Sequence, residues 1–550
     1  MVTGEKTTGR RVKPRAAGRG GAGRASVLMA GGTVVSRASG LVRQVLQGAA
    51  LGTGLLATTY NTANTVPTSL YTLLIGGALN AVLVPQLVRA RATHADGGRA
   101  YEQRLVTLVV SVLAVGTVLA VWAAPEIVSL YIRDTPKEHD AFRLTVVFAR
   151  FLLPQIFFYG LFAIYGQVLN AREKFGAMMW TPVLNNVVLV AMFGVYLGMM
   201  TVPRSVADVT GTQVRWLGVG TTLGIAVQAL ALIPFARAAG FRFRPRFDWR
   251  GTGLGSGIHA AKWTLMFVLT NLVALTVVTH YANAADARLP TAGIGYTAYS
   301  YAQTIWMLPQ SIVTVSLVTA LLPRMSKAAA EGRIGDLRAD LSRALRVSAV
   351  AIVPAAFLFT ALGPDIAVLL FAHGAADAAT AQPLGHMLQA FGLGLIPFSA
   401  QYLLLRGFYA VEDTRTPLFT AVWIGVVNIA LATACHLLLP ARWAVTGMAG
   451  AYTVSYFAGL VLTARLLARR TGGRLDDGTL RGTYARLLCA GGVGAVAGWA
   501  AARGCAGVLG DGTAGEILTT TAGTLVLALV YLVLARMLKV AELRRIPGFG

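Results

Sequence analysis

Two arginines, Arg37 and Arg43, stand in a run that begins at Ser26 and is long enough to cross a bilayer. A charge at the bilayer centre costs about 2.5–3.5 kcal/mol on insertion scales, and no carboxylate lies in the run to offset either one. A guanidinium presents a planar fork of donors that matches two phosphate oxygens at once. The chemistry expected is therefore non-covalent recognition of an anionic lipid head group. On one helix the six-residue spacing sets the two side chains about 120° apart and roughly 9 Å apart in height. They can line one cavity at two levels, with Gly40 thinning the helix between them. Bonding to main-chain carbonyls or snorkelling to an interface would also accommodate them.

Two further arginines, Arg150 and Arg406, fall within apolar runs closer to their ends, where interface anchoring and a cavity role both fit. Asn61, Asn64, Gln303 and Thr304 could face a wet cavity or bond between helices. Carboxylates are scarce at depth: Glu126 and Asp365 fall near outer ends, and Glu173, Glu412 and Asp413 near inner ends. An intramembrane carboxylate relay is therefore not expected. His280, His373 and His386 show no ligand or nucleophile pattern, and Cys435, Cys489 and Cys505 are too far apart to suggest a metal site or a disulfide framework. The glycine-rich run from Gly251 lacks the strand that a phosphate loop would follow and reads as a linker. No catalytic constellation, cofactor or metal is expected.

The elements that must position these groups are membrane helices. Of the 550 residues 55% are hydrophobic and only 13% charged, against about 25% charged in soluble domains. Mean hydropathy is +0.62. The expected fold is an all-α integral membrane protein with fourteen transmembrane helices. The runs are roughly 26–50, 56–88, 105–131, 143–170, 178–200, 216–239, 257–283, 293–323, 342–371, 384–411, 416–439, 443–468, 484–503 and 515–537. With the N-terminus inside, 36 of the 48 Lys and Arg residues fall on the cytoplasmic side and 8 on the other, as the positive-inside rule requires. The net charge of +25 is then loop charge, and nucleic acid is not an expected partner.

Pro67 and Pro309, Pro154 and Pro397, and Asn185 and Asn428 recur at an offset near 242. Six helices separate the copies, so the two units share orientation. The expected organisation is a disordered basic tail over 1–25, an N-lobe over 26–240, a C-lobe over 241–472, and two extra helices with a short tail over 473–550. The basic tail should touch anionic inner-leaflet lipid. Pro67, Pro154, Pro182, Pro309 and Pro397 fall inside crossings, as kinks or as hinges.

Several segments resemble one family. S-R-A-S-G-L-V-R from Ser36 to Arg43 is similar to the opening S-R-x-x-G-x-x-R of the MviN/MurJ lipid II flippases, in the multidrug/oligosaccharidyl-lipid/polysaccharide exporter superfamily. G-G-A-L-N-A-V-L-V-P from Gly76, L-N-A-R-E-K-F from Leu169, P-V-L-N-N from Pro182 and L-L-R-G-F-Y-A-V-E-D-T-R-T-P from Leu404 extend the likeness over about 26 to 540. The resemblance implies fourteen helices, two six-helix lobes around a cationic cavity, and a last pair lining a groove for a polyprenyl tail. It implies alternating access that moves a polyprenyl-diphosphate-linked peptidoglycan precursor to the outer leaflet. Arg37 and Arg43 fall on the family's first-helix arginines, the former associated with diphosphate binding; Ser36, Asn64, Gln303 and Thr304 are the further candidate substrate-binding residues. The chain departs from the pattern at Gln44, Thr58, Tyr71, Thr72, Gly76, Gln303 and Thr304, where the family carries charges. A small-solute or drug exporter of the same superfamily would prefer cations, and a non-transporting scaffold for cell-wall synthesis proteins would tolerate cavity mutations.

Overall fold

The computed structural model describes residues 19–73, 87, 90–91, 96–248, 256–509 and 512–545, apart from single positions and pairs inside those spans. The chain up to residue 18, the segment from Gly76 to Pro85 and the glycine-rich run at Gly251 lie outside the described residues.

Regular structure among the described residues is helical. The first half comprises α1 (Arg19–Leu51), α2 (Leu55–Leu73), α3 (Arg99–Trp122), α4 (Ala124–Ser129), α5 (His139–Leu152), α6 (Gln155–Asn170), α7 (Gly176–Met199), α8 (Gly211–Leu230) and α9 (Leu232–Ala238). The second comprises α10 (Ser256–Arg288), α11 (Tyr296–Pro309), α12 (Val315–Ala330), α13 (Ile334–Phe371), α14 (Ala378–Gly392), α15 (Leu395–Ala410), α16 (Arg415–Leu438) and α17 (Ala441–Arg470). Then follow α18 (Thr479–Leu509) and α19 (Thr513–Met537). Helix α1 already begins inside the stretch expected to be a disordered tail.

Among the described residues ten helical spans are long and apolar enough to cross a membrane, and two bent pairs, Tyr296–Val318 with Leu321–Ala330 and α14 with α15, raise that to twelve. Each of the fourteen expected runs overlaps a helix, so the membrane-spanning all-α class is present. Helices α1 and α2 are not among the twelve; the α2 sequence L-L-A-T-T-Y-N-T-A-N-T-V-P-T-S-L-Y-T-L is studded with Thr and Asn.

Apolar residues that lipid solvates stay exposed: Val112, Val115, Val118 and Leu119 on α3 are all more than half exposed. What drives the helices together is close packing and backbone satisfaction. Two cores form within the first half, one around Tyr60, Phe148 and Phe193, the other around Phe162, Val168 and Leu232. Trp306, Phe391 and Met448 centre the main core of the second half. Helices α18 and α19 join that core through Leu487 and Tyr531, whose hydroxyl donates to Val350 O at 2.7 Å. They also approach each other at Gly498 and Gly523, where a Cβ on Gly498 would lie 2.6 Å from Gly523 O.

The prolines sort by context. Pro154 and Pro397 mark matching interruptions, between α5 and α6 and just after the bend between α14 and α15. After Pro309, which lacks a donor, the ladder widens into a π turn over Gln310–Thr314. Pro182 lies within a continuous helix.

One ion pair is almost fully enclosed. Arg172, at the end of α6, bonds Glu102 on α3 at 2.5 Å, with side-chain exposures of 9% and 1%, and its guanidinium lies 5.5 Å from the Phe241 ring centroid. Removing one partner leaves the other charge buried and unpaired, at a cost of about 3–5 kcal/mol. Glu102→Ala is expected to lower the melting temperature of the detergent-solubilised protein clearly; an unchanged melting temperature would show the pair to be dispensable.

Candidate functional site

Helix α2 supplies a polar stripe. Asn61, Asn64, Thr65, Thr68 and Thr72 recur at three- and four-residue spacing and therefore share one face. Thr65, Thr68 and Thr72 donate back to the carbonyls of Asn61, Asn64 and Thr68 at 2.8, 2.9 and 3.0 Å. Their hydroxyl donors are thus used within the helix, which leaves the oxygens as acceptors, and that of Thr65 is already paired with Tyr296 Oη at 3.0 Å.

This face looks into a cavity of about 720 Å³ between the two halves of the chain. Arg43 and Gln47 of α1, Thr264 and Asn271 of α10, Ser300 and Thr304 of α11, and Gln401, Tyr402 and Arg406 of α15 add to the polar lining. Among the described residues the lining contains two guanidinium groups and no carboxylate. The Nε atoms of Arg43 and Arg406 are buried without a hydrogen-bond partner, as is Gln401 Oε1. Arg406 stacks on Tyr402, 4.3 Å from its centroid, and lies 5.5 Å from that of Tyr409. Aromatic faces stabilise the cation without neutralising it. An anion entering this space meets positive charge that nothing in the lining cancels.

The expected residues divide. Arg43, Asn64 and Thr304 line the cavity. Gln303, one residue from Thr304, faces a smaller neighbouring pocket with Asn428, Tyr452 and Tyr456. Arg37 and Arg150 are exposed and outside the cavity lining. For Arg37 the reason is its 120° offset from Arg43, which turns it to another face of α1. The first turn of the expected motif packs α1 on α7 instead: Asn186 Nδ2 donates to Ser36 O at 3.1 Å and to Ser39 Oγ at 2.9 Å. Arg406 lines the cavity although its position near a helix end made interface anchoring the simpler expectation. Gln47, Tyr301 and Gln401 also line the cavity and were not singled out from sequence. Of these Gln47 carried a signal, one turn beyond Arg43 on the same face of α1.

One end of the cavity is sealed by hydrogen bonds between the halves. Asn61 Nδ2 donates across the halves to Thr297 Oγ1 at 2.9 Å, while within the first half Gln47 Nε2 donates to Asn61 Oδ1 at 2.8 Å and holds that amide in place. Thr62 Oγ1 donates to Asn283 Oδ1 at 3.3 Å, and Asn283 Nδ2 to Tyr131 O at 3.1 Å. Thr65 Oγ1 reaches Tyr296 Oη at 3.0 Å, and Thr53 Oγ1 reaches Thr380 O at 3.0 Å. Main-chain bonds join Ala375 N to Ala49 O at 2.8 Å and Leu55 N to Pro290 O at 3.3 Å. Two glycines permit this approach. Gly52 turns the chain at φ +74°, and a Cβ on Gly374, at φ +66°, would lie 2.4 Å from Ala49 O. Asp377 caps α14 here by accepting from Thr380 N at 2.9 Å, and that backbone bond holds its carboxyl below the usual range.

Comparison with known proteins bears on this arrangement. The family profile of "Lipid II flippase MurJ" matches residues 48–506. A protein of Rhizobium meliloti described as a probable lipid II flippase MurJ is 29% identical over 81% of this chain and 80% of its own length. The lipid II flippase MurJ of Burkholderia cenocepacia is 26% identical over 74% of this chain and 76% of its own. Among solved structures, a lipid II flippase MurJ in an inward closed conformation superposes with a TM-score of 0.72 at 18% identity, covering 93% of this chain and 99% of that one. An inward-facing multidrug resistance MATE family transporter of the MOP superfamily superposes with a TM-score of 0.63 at 14% identity, covering 81% and 98%.

Proposed function

This chain belongs to the MurJ family of lipid II flippases, and we propose that it carries lipid II from the inner to the outer leaflet of the bacterial cytoplasmic membrane by alternating access. The observation that supports this reading is the charge of the cavity: among the described residues two guanidinium groups face the lumen and no carboxylate does. That lining suits a diphosphate and repels the cationic substrates of a drug exporter.

In this reading the chain crosses the membrane fourteen times with both termini in the cytoplasm, as two six-helix lobes divided near residue 240 and an appended pair, α18 and α19. The sealed end then faces outward and the cavity is reached from the cytoplasmic side. Arg37, exposed on α1 nearer the inner surface, meets the head group first. Arg43 and Arg406 take over its phosphates, and Asn64 and Thr304 offer polar contacts along the way. The lobes then exchange the outer seal for an inner one. The basic tail steadies the protein on anionic inner-leaflet lipid, and the cytoplasmic loops are available to cell-wall synthesis proteins. Moving each negative charge outward against 100 mV, interior negative, costs about 2.3 kcal/mol, so a gradient or an accompanying cation must offset it.

The test is translocation of lipid II by the purified protein in vesicles, read as head groups newly accessible to an external modifying reagent. Accumulation of lipid II in the inner leaflet on depletion in cells is the expected counterpart. Vesicles in which the protein moves cationic dyes while lipid II stays in place would overturn the assignment.

A further inference from the structure

Asp286, in the last turn of α10, is 0% exposed, and neither of its carboxyl oxygens has a hydrogen-bond partner. It stands in the seam between the halves. Thr58 of α2 is the polar side chain that faces it, but that hydroxyl donates to Thr297 Oγ1 at 3.3 Å. Gly295, in the turn before α11, closes over the carboxyl so tightly that a Cβ there would lie 2.3 Å from its carbon. Arg288 follows two residues later on the same helix. Arg133, Glu138, His280, Arg288 and His436 line a neighbouring pocket of about 480 Å³ that Asp286 does not line. The other titratable group nearby, Tyr296, is engaged with Thr65 at 3.0 Å.

An ionised carboxylate stripped of water and of donors is strongly unfavourable, and such a group neutralises instead. A bound metal cation would need several oxygen ligands and space for itself, and the packing of Gly295 leaves none. A proton needs neither. We propose that Asp286 is a proton-binding site of the outer gate, protonated while the lobes are sealed around it and ionised when the seam opens. The reading above enters only in deciding which end is outer.

The sign follows from linkage. The sealed form binds the proton more tightly than the open form, where water reaches the carboxyl. Closure is therefore fully favoured below the pH at which the exposed carboxyl titrates, and that advantage is lost as external pH rises through the sealed-form value. Opening the outer gate releases one proton outside, and reclosing takes one up.

Spin labels at Asp140→Cys and Ala379→Cys, both exposed and one on each half, report the gate by electron–electron distance. Cys435, Cys489 and Cys505 are replaced by alanine, and no lipid II is added, so the result is independent of whether the protein transports that lipid. Between pH 5.5 and 8.5 the ratio of long to short distances is expected to rise at least tenfold. Asp286→Asn should hold the short distance throughout, and Asp286→Glu should keep the pH response. A labelled parent whose distances ignore pH overturns the proposal, with or without a foldable Asp286→Asn protein. So does an Asp286→Asn protein that follows the parent profile, or a response that vanishes in His280→Gln with His436→Gln. A shift produced at constant pH by exchanging sodium for choline would replace the proton with a metal cation and overturn it as well.

Discussion

Arg43→Ala is expected to cut the initial rate of lipid II translocation in vesicles by roughly 10- to 100-fold, with the protein still folded. Arg43 lines the cavity, its Nε is buried without a partner, and no carboxylate shares the lining among the described residues. A hydrogen bond to a charged group contributes about 1.5–3 kcal/mol, and each 1.4 kcal/mol is tenfold. Alanine removes one such interaction together with the charge. Arg43→Lys should recover part of the rate, since an ammonium restores the charge without the bidentate fork. Arg37→Ala should be milder, because Arg37 lies outside the lining and would act only in capture. If Arg37→Ala proves the more damaging and Arg43→Ala moves lipid II normally, the diphosphate sits elsewhere on α1.

This contrast shows what a helix periodicity conveys and where it stops. That two arginines in one apolar run need a reason was legible from residue types alone. Which of them faces the lumen was not, because the answer depends on where α7 packs, and Asn186 fixes that through Ser36 and Ser39. The polar face of α2 was legible in part: Asn61 and Asn64 stood out as cavity-facing or interhelical, whereas Thr65, Thr68 and Thr72, which repeat at the same helical spacing and also line the cavity, were not read as one face with them. Arg406 was misleading for a physical reason. A charge close to a helix end usually reaches an interface, but Tyr402 and Tyr409 hold this one against the lumen. Asp286 escaped attention because it lies two residues from Arg288, in what reads as a solvated helix end. Only the closure of Gly295 over it reveals a buried carboxyl. Hydropathy gave the all-helical membrane class, and up to twelve of the fourteen expected crossings pass as apolar spans among the described residues; α2 is the instructive exception, since the same Thr and Asn residues that weaken it as an apolar span make it the wall of the cavity.

Alternating access requires the sealed end to part, so tethering it should stop transport altogether. Thr53 Oγ1 bonds Thr380 O at 3.0 Å, which places one residue from each half within reach of a short thiol-specific cross-linker. With the three native cysteines replaced, Thr53→Cys with Thr380→Cys is expected to translocate lipid II before cross-linking, to fall to the protein-free background after it, and to recover when a cleavable linker is reduced. The single-cysteine proteins should be indifferent to the reagent. The argument is geometric. The bonds from Asn61 to Thr297 and Ala375 to Ala49 also join the halves at the sealed end, so a covalent link there holds the sealed form and forbids the open one. Continued flipping by the cross-linked protein would mean that the head group leaves by a route that does not part these helices, and the rocking of two lobes would have to be abandoned.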